Sequence, residues 1–477
     1  MFSAADERAL LARLVTLTGG DITMVDRVTF CGPAEVLPSV YAVTSFAAAS
    51  VATATLAVAG LHARRNGRPV ADVEVDRTLA CAAFRYESLF SPVGWELPAL
   101  WDPVAGDYRA RDGWIRLHTN YANHRAAALG VLGAEADRGA VARAVAGWDA
   151  EALEQSVVDA GGCAAAMSTT TAWASGAVAQ AVAAAPPIAV TRTDPQGARL
   201  GKRGGTRPLD GVRVLDLTRV IAGPTCTRML AAYGADVLRV DPPGFAEVPA
   251  LVPETTAGKR CCALDLAEPS ARSRFEALVA EADVVVHGLR PGALARFGFD
   301  KDSLRRIHPG LVTVALNAYG WVGPWRYRRG FDSLVQMSTG IAARGAELSG
   351  ADHPVSLPAQ ALDHATGHLL AAATCNALAR SLDDGAGTDV RASLVGTASL
   401  LIDCGEHGRP DGQPAWPDAV FDPATTAWGP ARRVRVPGAI DGCPPRLDVD
   451  AGPLGRHEAA FAALAGGSTR ISPVENR

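Results

Sequence analysis

Short apolar segments alternate with longer amphipathic segments through the middle of the chain, from residue 208 to residue 404. Short apolar runs predict buried strands, and segments with apolar residues on one face predict helices. The predicted strands cover 212–217, 236–241, 262–266, 283–287 and 311–316, and the predicted helices cover 224–233 and 270–281. This alternation predicts a parallel sheet with helices on both faces, so the expected fold class is α/β.

Two Ala-rich segments, at 37–61 and 357–380, both begin with Leu-Pro and are followed by a glycine-containing turn and an amphipathic segment. Pairing them without gaps from Leu-Pro places Val43 opposite Asp363. The pattern indicates either an internal repeat or a chance likeness between two Ala-rich helices. The uncharged stretch 42–60 consists mainly of Ala, Ser and Thr, which partition weakly into hydrocarbon, so it predicts a buried helix rather than a membrane span.

A polar, glycine-rich stretch at 196–207 is typical of a linker and divides the chain. The part before it, 1–195, contains the first Ala-rich helix and a segment beginning at 112 that predicts a strand leading into a helix. We therefore expect a smaller α/β domain there, a Rossmann-like domain at 208–404, and a shortened, loop-rich region at 405–477. Within that last region, one short helix is predicted at 457–465.

Composition excludes several classes of partner. The 477 residues are 48% hydrophobic and 20% charged, which is a globular balance, and the formal net charge is −4. No overall basic field exists to hold nucleic acid or an anionic membrane. The nine cysteines are scattered and odd in number, and the N-terminus has no basic segment before an apolar one. A reduced, cytoplasmic protein is therefore expected.

The loop after the first predicted strand is where such a sheet would bind its ligand, because helix N-termini present unpaired N–H groups there. The loop reads TRVIAGPT, at 218–225, and contains one glycine. A dinucleotide-binding loop would carry G-x-G-x-x-G, so a nicotinamide or flavin cofactor is disfavoured.

The same loop opens a series of motifs that resembles the family III CoA-transferases, a superfamily that includes formyl-CoA and carnitine CoA-transferases and the α-methylacyl-CoA racemases. The resemblance begins at 208–244 and continues in order through five further motifs. These are GKRCCALDL at 258–266, GLRPGALARFGFD at 288–300, RRGFDSLVQMSTG at 328–340, LDHATGHLLA at 362–371 and GTDVRASLVGTASLL at 387–401. The first 200 residues resemble the family only faintly, in an order that implies a rearranged chain.

The resemblance implies that Asp363 is the catalytic carboxylate. In that chemistry the carboxylate attacks an acyl-CoA and becomes an aspartyl-CoA thioester, from which CoA passes to a second carboxylic acid. CoA is then a substrate, and no metal or tightly bound cofactor is required. The alternative reading of Asp363 is structural, since an acidic residue at the start of a helix is favoured by the helix dipole.

The family's CoA contacts carry over onto three stretches of this chain, where arginine and lysine suit phosphate and loop backbone suits adenine and pantetheine. They correspond to Arg219, Val220 and Ala222, then Lys259 and Arg260, then Leu289, Arg290 and Arg296. Arg329, which is also expected to contact CoA, and Asp332 lie in a segment that the family places near the thioester.

Two departures from the family pattern bear on function. Phe331 stands where the racemases carry a histidine, and phenylalanine cannot move a proton. Val43 occupies the repeat position that corresponds to Asp363. The expected function is therefore CoA transfer, with a racemase-like or isomerase-like enzyme and a non-catalytic CoA-binding protein as alternatives. The resemblance also implies a homodimer, although the two parts of one chain together supply about one set of family elements.

Overall fold

The computed structural model describes residues 3–195, 206–406 and 414–462. The predicted linker lies mostly outside these residues. The strands, in chain order, are β1 (Val28–Cys31), β2 (Val73–Asp76), β3 (Ser91–Pro92), β4 (Gly106–Arg109), β5 (Trp114–Leu117), β6 (Ala164–Ala166), β7 (Ile188–Arg192), β8 (Arg213–Leu217), β9 (Asp236–Asp241), β10 (Lys259–Ala263), β11 (Val284–His287), β12 (Val312–Asn317), β13 (Thr388–Ser393), β14 (Phe421–Thr426), β15 (Gly429–Val434) and β16 (Ala439–Ile440).

The α-helices of the described residues, in chain order, are α1 (Ala4–Leu17), α2 (Val43–Asn66), α3 (Arg77–Ala83), α4 (Tyr86–Leu89), α5 (Ala122–Leu132), α6 (Arg138–Val145), α7 (Ala150–Asp159), α8 (Thr170–Ser175), α9 (Ala177–Ala183), α10 (Ala222–Ala232), α11 (Val252–Thr255), α12 (Pro269–Glu281), α13 (Lys301–Ile307), α14 (Asp332–Ser338), α15 (Ile341–Ser349), α16 (Ala361–Asp384) and α17 (Leu394–Asp403). Short 3₁₀ helices cover Ile22–Arg27, Pro249–Leu251, Ala295–Phe297 and Asp418–Val420.

A seven-stranded sheet forms the centre, in the order β10-β9-β8-β11-β12-β13-β7. All neighbours are parallel except β7, which runs antiparallel to β13. The strand predicted at 262–266 instead occupies Lys259–Ala263, because its partner β9 ends at Asp241, the residue paired with Ala263. The α/β fold class is confirmed.

Helices cover both faces of this sheet. Apolar residues of α10 and α16 pack on one face, with Val214, Val286 and Val314, whereas α12 packs on the other, with Leu215 and Val285. This is why the central strands are apolar at consecutive positions rather than at alternate ones.

The two Ala-rich helices α2 and α16 pack against each other. α2 is long and apolar enough to cross a membrane, yet 94% of its most apolar window is buried inside the protein, so the predicted buried helix is confirmed. Each helix is followed by a strand and then a further helix, in agreement with a repeat. Counted from the helix starts, however, Asp363 is the third residue of α16 and its counterpart is Ser45 rather than Val43.

Smaller units surround the central sheet. A three-stranded sheet, β4-β5-β6, packs with α5, α6 and α7 around its own apolar core, as expected of a smaller α/β unit. The C-terminal part is more regular than the sequence predicted, because β14 and β15 form a hairpin whose second strand pairs with β3. Residues 457–462 are not helical, and the rest of the predicted helix lies outside the described residues.

The predicted boundary at 195 does not separate the central sheet from what precedes it. Strand β7, at Ile188–Arg192, forms an edge of that sheet through its pairing with β13. The division into domains therefore stays a proposal, with β7 belonging spatially to the second part.

Candidate functional site

Asp363 lies in the first turn of α16 and is 7% exposed. Gly367, one turn further along, lets the start of α10 approach closely, since a Cβ at that position would be 2.5 Å from the Ala222 carbonyl oxygen. Among the described residues, no hydrogen-bond donor contacts the carboxylate oxygens of Asp363. A buried carboxylate without hydrogen bonds is rare in folded proteins, and such groups occur at functional sites.

Asp332, the first residue of α14, stands in contrast because its carboxylate is fully engaged. One oxygen accepts hydrogen bonds from the backbone N–H groups of Leu362 and Asp363, at 2.8 and 2.9 Å. The other accepts a hydrogen bond from the Gln336 side chain. Asp332 therefore caps α16 from outside that helix and fixes the backbone of Asp363.

A third carboxylate comes from the N-terminal part. Glu87, in α4, is 8% exposed, and its Oε2 shares a hydrogen bond of 3.0 Å with His364 Nε2. His364 follows Asp363 directly and its ring packs on Tyr86. This contact ties the N-terminal part to the start of α16.

The other two carboxylates act on the ionisation of Asp363. Burial raises the pKa of Asp363 well above its ordinary value, and the negative charges of Asp332 and Glu87 raise it further. Burial also raises the pKa of Asp332, to about 6, against the opposing effect of its hydrogen bonds. Carboxyl groups with raised pKa values in a cleft are candidates for chemistry, although buried structural networks produce the same shift.

A narrow pocket opens in front of Asp363, and both parts of the chain form its walls. The N-terminal part supplies Glu87, Leu100, Trp101, His118, Asn120 and Tyr121, and the second part supplies Val220, Ile221, Val248, Leu251, Phe331, Asp332, Gln360 and Asp363. Phe331 stacks on His118 with 3.5 Å between ring centroids. Burial lowers the pKa of His118 to about 3, so this imidazole is neutral at physiological pH.

The start of α10 faces the same pocket. Val220 has a φ of 65°, which is unfavourable for a β-branched residue. Such backbone strain is concentrated at functional sites. No side chain caps the first turn of α10, and Ala222 is its first residue. The unpaired N–H groups of this first turn and the positive end of the helix dipole favour the binding of an anion.

Three of the predicted CoA-binding arginines form a positive cluster. The charge of Arg329 is the largest cause of a lowered pKa at Arg290, followed by burial and then by Arg296. Arg290 and Arg296 are exposed, and neighbouring Leu289 is half-buried. Guanidinium groups that repel one another are stabilised by a bound anion, and phosphate is the group that they bind best.

Two other residues that were predicted to contact CoA, Arg219 and Arg260, have different surroundings from the arginine cluster. Arg219 stacks on Phe245, with its guanidinium carbon 3.6 Å from the ring centroid, and lies 3.8 Å from Asp241. Arg260 is half-buried on the edge strand β10.

Lys259 requires a correction. Its side chain is fully buried, and its ammonium lies 2.9 Å from Asp216 and also donates to the Pro224 carbonyl. It cannot reach a CoA phosphate in this structure. Its physical role is to neutralise Asp216 beneath α10.

Sequence reasoning missed the contribution of residues 87–121 to the pocket. Trp101, His118 and Tyr121 stand in no motif, and their spacing resembles that of ordinary core residues. The unusual number of polar and aromatic side chains in that stretch was the only available signal.

Comparisons with known proteins bear on the second part of the chain. The model of CoA-transferase family III matches residues 209–408. This segment is the one that carries Asp363, the α10 loop and the arginine cluster.

Individual relatives agree with the family match. The chain is 37% identical to an acetyl-coenzyme A transferase, nodX, from Hypoxylon pulicicidum, over 39% of this chain and 32% of that protein. It is 32% identical to a formyl-CoA:oxalate CoA-transferase from Rhodopseudomonas palustris, over 40% and 47%. A crystal structure of Rv3272 from Mycobacterium tuberculosis is 32% identical, covers 42% of this chain and 57% of that one, and gives a TM-score of 0.39. The chain spans about half the length, or less, of the curated relatives that it matches.

Proposed function

We propose that this protein transfers CoA from an acyl-CoA to a carboxylic acid, with Asp363 as the nucleophile. The observation that carries the proposal is the Asp363 carboxylate, which is buried in a pocket within the family-matched segment and receives no hydrogen bond from the described residues. Hydrogen bonds to a carboxylate lower its nucleophilicity, so their absence favours attack on a carbonyl carbon.

The reaction proceeds by four exchanges at carbonyl carbons. The Asp363 carboxylate attacks the thioester carbon, the C–S bond breaks, and a mixed anhydride and CoA thiolate form. The thiolate attacks the aspartyl carbonyl and releases the donor acid as a carboxylate, which leaves aspartyl-CoA. The acceptor carboxylate then attacks aspartyl-CoA, and the released thiolate attacks the acceptor acyl carbon. Asp363 is regenerated, and no net proton or electron transfer is needed.

Residues around Asp363 support these steps. Asp332 holds the backbone of Asp363 in place through the hydrogen bonds at Leu362 and Asp363. The uncapped first turn of α10 is suited to stabilise the oxyanion that develops at each carbonyl. We assign the phosphates of CoA to the cluster of Arg290, Arg296 and Arg329, and the loop at Arg219 and Val220 to the rest of the coenzyme.

A pair of matched variants tests the assignment. Asp363→Ala and Asp363→Asn should fold and retain CoA binding, but lose transfer of isotopically labelled CoA between an acyl-CoA and its free acid. Hydroxylamine trapping after incubation with acyl-CoA should mark Asp363 in a peptide map of the unsubstituted protein. Asp300→Asn, which alters an exposed aspartate that caps α13, serves as the control and should transfer normally. Normal transfer by Asp363→Ala would end the proposal.

One observation favours the racemase-like alternative. His118 brings an imidazole to the ring of Phe331, where the racemases carry a histidine. Its pKa of about 3 makes it a weak base, which argues against proton abstraction. Incubation of a 2-methylacyl-CoA in deuterium oxide decides the matter, because isomerisation requires exchange at the α-carbon and transfer does not.

The homodimer and the cytoplasmic location remain proposals that accompany the function. Within one chain, the pocket already combines Glu87 and Trp101 of the first part with Asp363 of the second. Completion of the pocket in this structure therefore needs no second copy.

A further inference from the structure

We propose that the pocket in front of Asp363 accepts apolar monocarboxylic acyl groups and rejects dicarboxylic ones. This inference rests on the proposed transfer reaction and names the class of acid that it serves. It depends on two features of the pocket, the acidic groups in its lining and its apolar walls.

The pocket is lined by acidic groups. Its described lining includes Glu87, Asp332 and Asp363 and contains no lysine or arginine. The second carboxylate of a dicarboxylic acyl group would enter this pocket without a cation to pair with, and it would face the negative groups already there. Burial of an unpaired charge beside like charges is strongly unfavourable.

Two arginines close to the pocket are paired with carboxylates elsewhere. Arg116 lies behind Trp101, with its guanidinium carbon 5.3 Å from the ring centroid, and pairs with Asp107 at 2.8 Å. Arg239 is buried and pairs with Asp241 and Glu247. Neither charge is available to a ligand in the pocket.

Two polar side chains of the pocket walls bond to neighbouring protein groups. The Asn120 side chain accepts from the Asp102 N–H and donates to the Leu100 carbonyl. The Tyr121 hydroxyl donates to Glu247 at 2.6 Å. Apolar surface for the body of an acyl group is supplied by Leu100, Trp101, Val248, Leu251 and Phe331.

Butyryl-CoA and succinyl-CoA test the proposal, because their acyl chains have equal length and differ by one carboxylate. The full-length protein should use butyryl-CoA, with butyrate as the acceptor, at a kcat/KM at least about 100-fold above that for succinyl-CoA with succinate. Equal or faster transfer from succinyl-CoA would overturn the inference while leaving the transfer reaction intact. A succinyl activity that Arg329→Gln abolishes while butyryl transfer persists would likewise overturn it, and would identify Arg329 as the missing cation.

A charge inserted into the pocket gives the converse test. Leu100 is half-buried on the pocket wall, so Leu100→Arg should raise the succinyl-to-butyryl ratio of kcat/KM at least about tenfold by supplying a cation. Leu100→Gln, similar in size but uncharged, is the control and should leave the ratio nearly unchanged. An unchanged ratio in a folded Leu100→Arg variant would contradict the charge argument. Absence of transfer from every acyl-CoA, in protein that binds CoA, would overturn the transfer reaction and this inference together.

Discussion

Substitution of Asp332 by asparagine should change how the stability of the protein depends on pH. The Asp332 carboxyl is buried, and its pKa is raised from 3.8 to about 6, chiefly by burial. The folded state therefore binds this proton more tightly than the unfolded state. Its stabilising effect is fully present below about pH 4 and is lost as the pH rises through about 6.

The size of the effect follows from that shift. A difference of roughly two pKa units corresponds to about 3 kcal/mol of unfolding free energy between the acidic and neutral ends of the window. Asp332→Asn keeps an oxygen that accepts from the N–H groups of Leu362 and Asp363, but it cannot ionise. It also removes a negative charge that raises the pKa of Asp363. Both changes reduce the loss of stability as the pH rises.

Urea unfolding, followed by tryptophan fluorescence at about pH 4.5 and about pH 7.5, measures the effect. Between these values the unsubstituted protein should lose more stability than Asp332→Asn, by an amount on the order of 2 kcal/mol, because part of the effect is already lost at about pH 4.5. The pH dependence of CoA transfer should also move to lower pH in the variant, because Asp363 ionises more readily.

Asp300→Asn is the matched control, since hydrogen bonds from Ser303 lower the pKa of Asp300. Its contribution is present above the unfolded pKa of 3.8 and is lost only below it, so between about pH 4.5 and about pH 7.5 its variant should show the same change in stability as the unsubstituted protein. If Asp332→Asn followed the same pH dependence as the unsubstituted protein, the argument that Asp332 ionises at a cost would be refuted.

Further predictions concern the remaining assignments. Arg290→Ala and Arg296→Ala should each weaken CoA binding by about 1–3 kcal/mol, measured by calorimetry, and unchanged affinity in both would remove the phosphate assignment. Val43→Ala should lower stability by about 1–3 kcal/mol, since the side chain is fully buried, and should leave turnover per folded molecule intact. Loss of activity in well-folded Val43→Ala would contradict a packing role. Lys259→Met should destabilise the protein by about 3–5 kcal/mol by leaving Asp216 buried without its cation, yet leave CoA affinity of the folded protein unchanged. Weakened CoA binding at normal stability would restore Lys259 as a ligand.

Much of the second part of the chain could be predicted from its amino-acid sequence alone. Apolar runs report burial on both sides of a strand, and β8, β9, β11 and β12 lie within a residue or so of the predicted positions. The family motifs identified the segment that the family model matches, and α2 is the buried helix that its small residues indicated. The assignment of Asp363 as nucleophile stays a prediction.

The tertiary structure decided which charges and rings meet. Lysine is a suitable ligand for phosphate, but only the packing shows that Lys259 is buried beneath α10 and paired with Asp216. The pocket in front of Asp363 depends on Glu87 and Trp101, more than 200 residues away along the chain. Periodicity reports the local environment of a residue, whereas contacts between distant segments arise from the packing of whole elements. The shape and charge of the pocket were therefore inaccessible from the sequence.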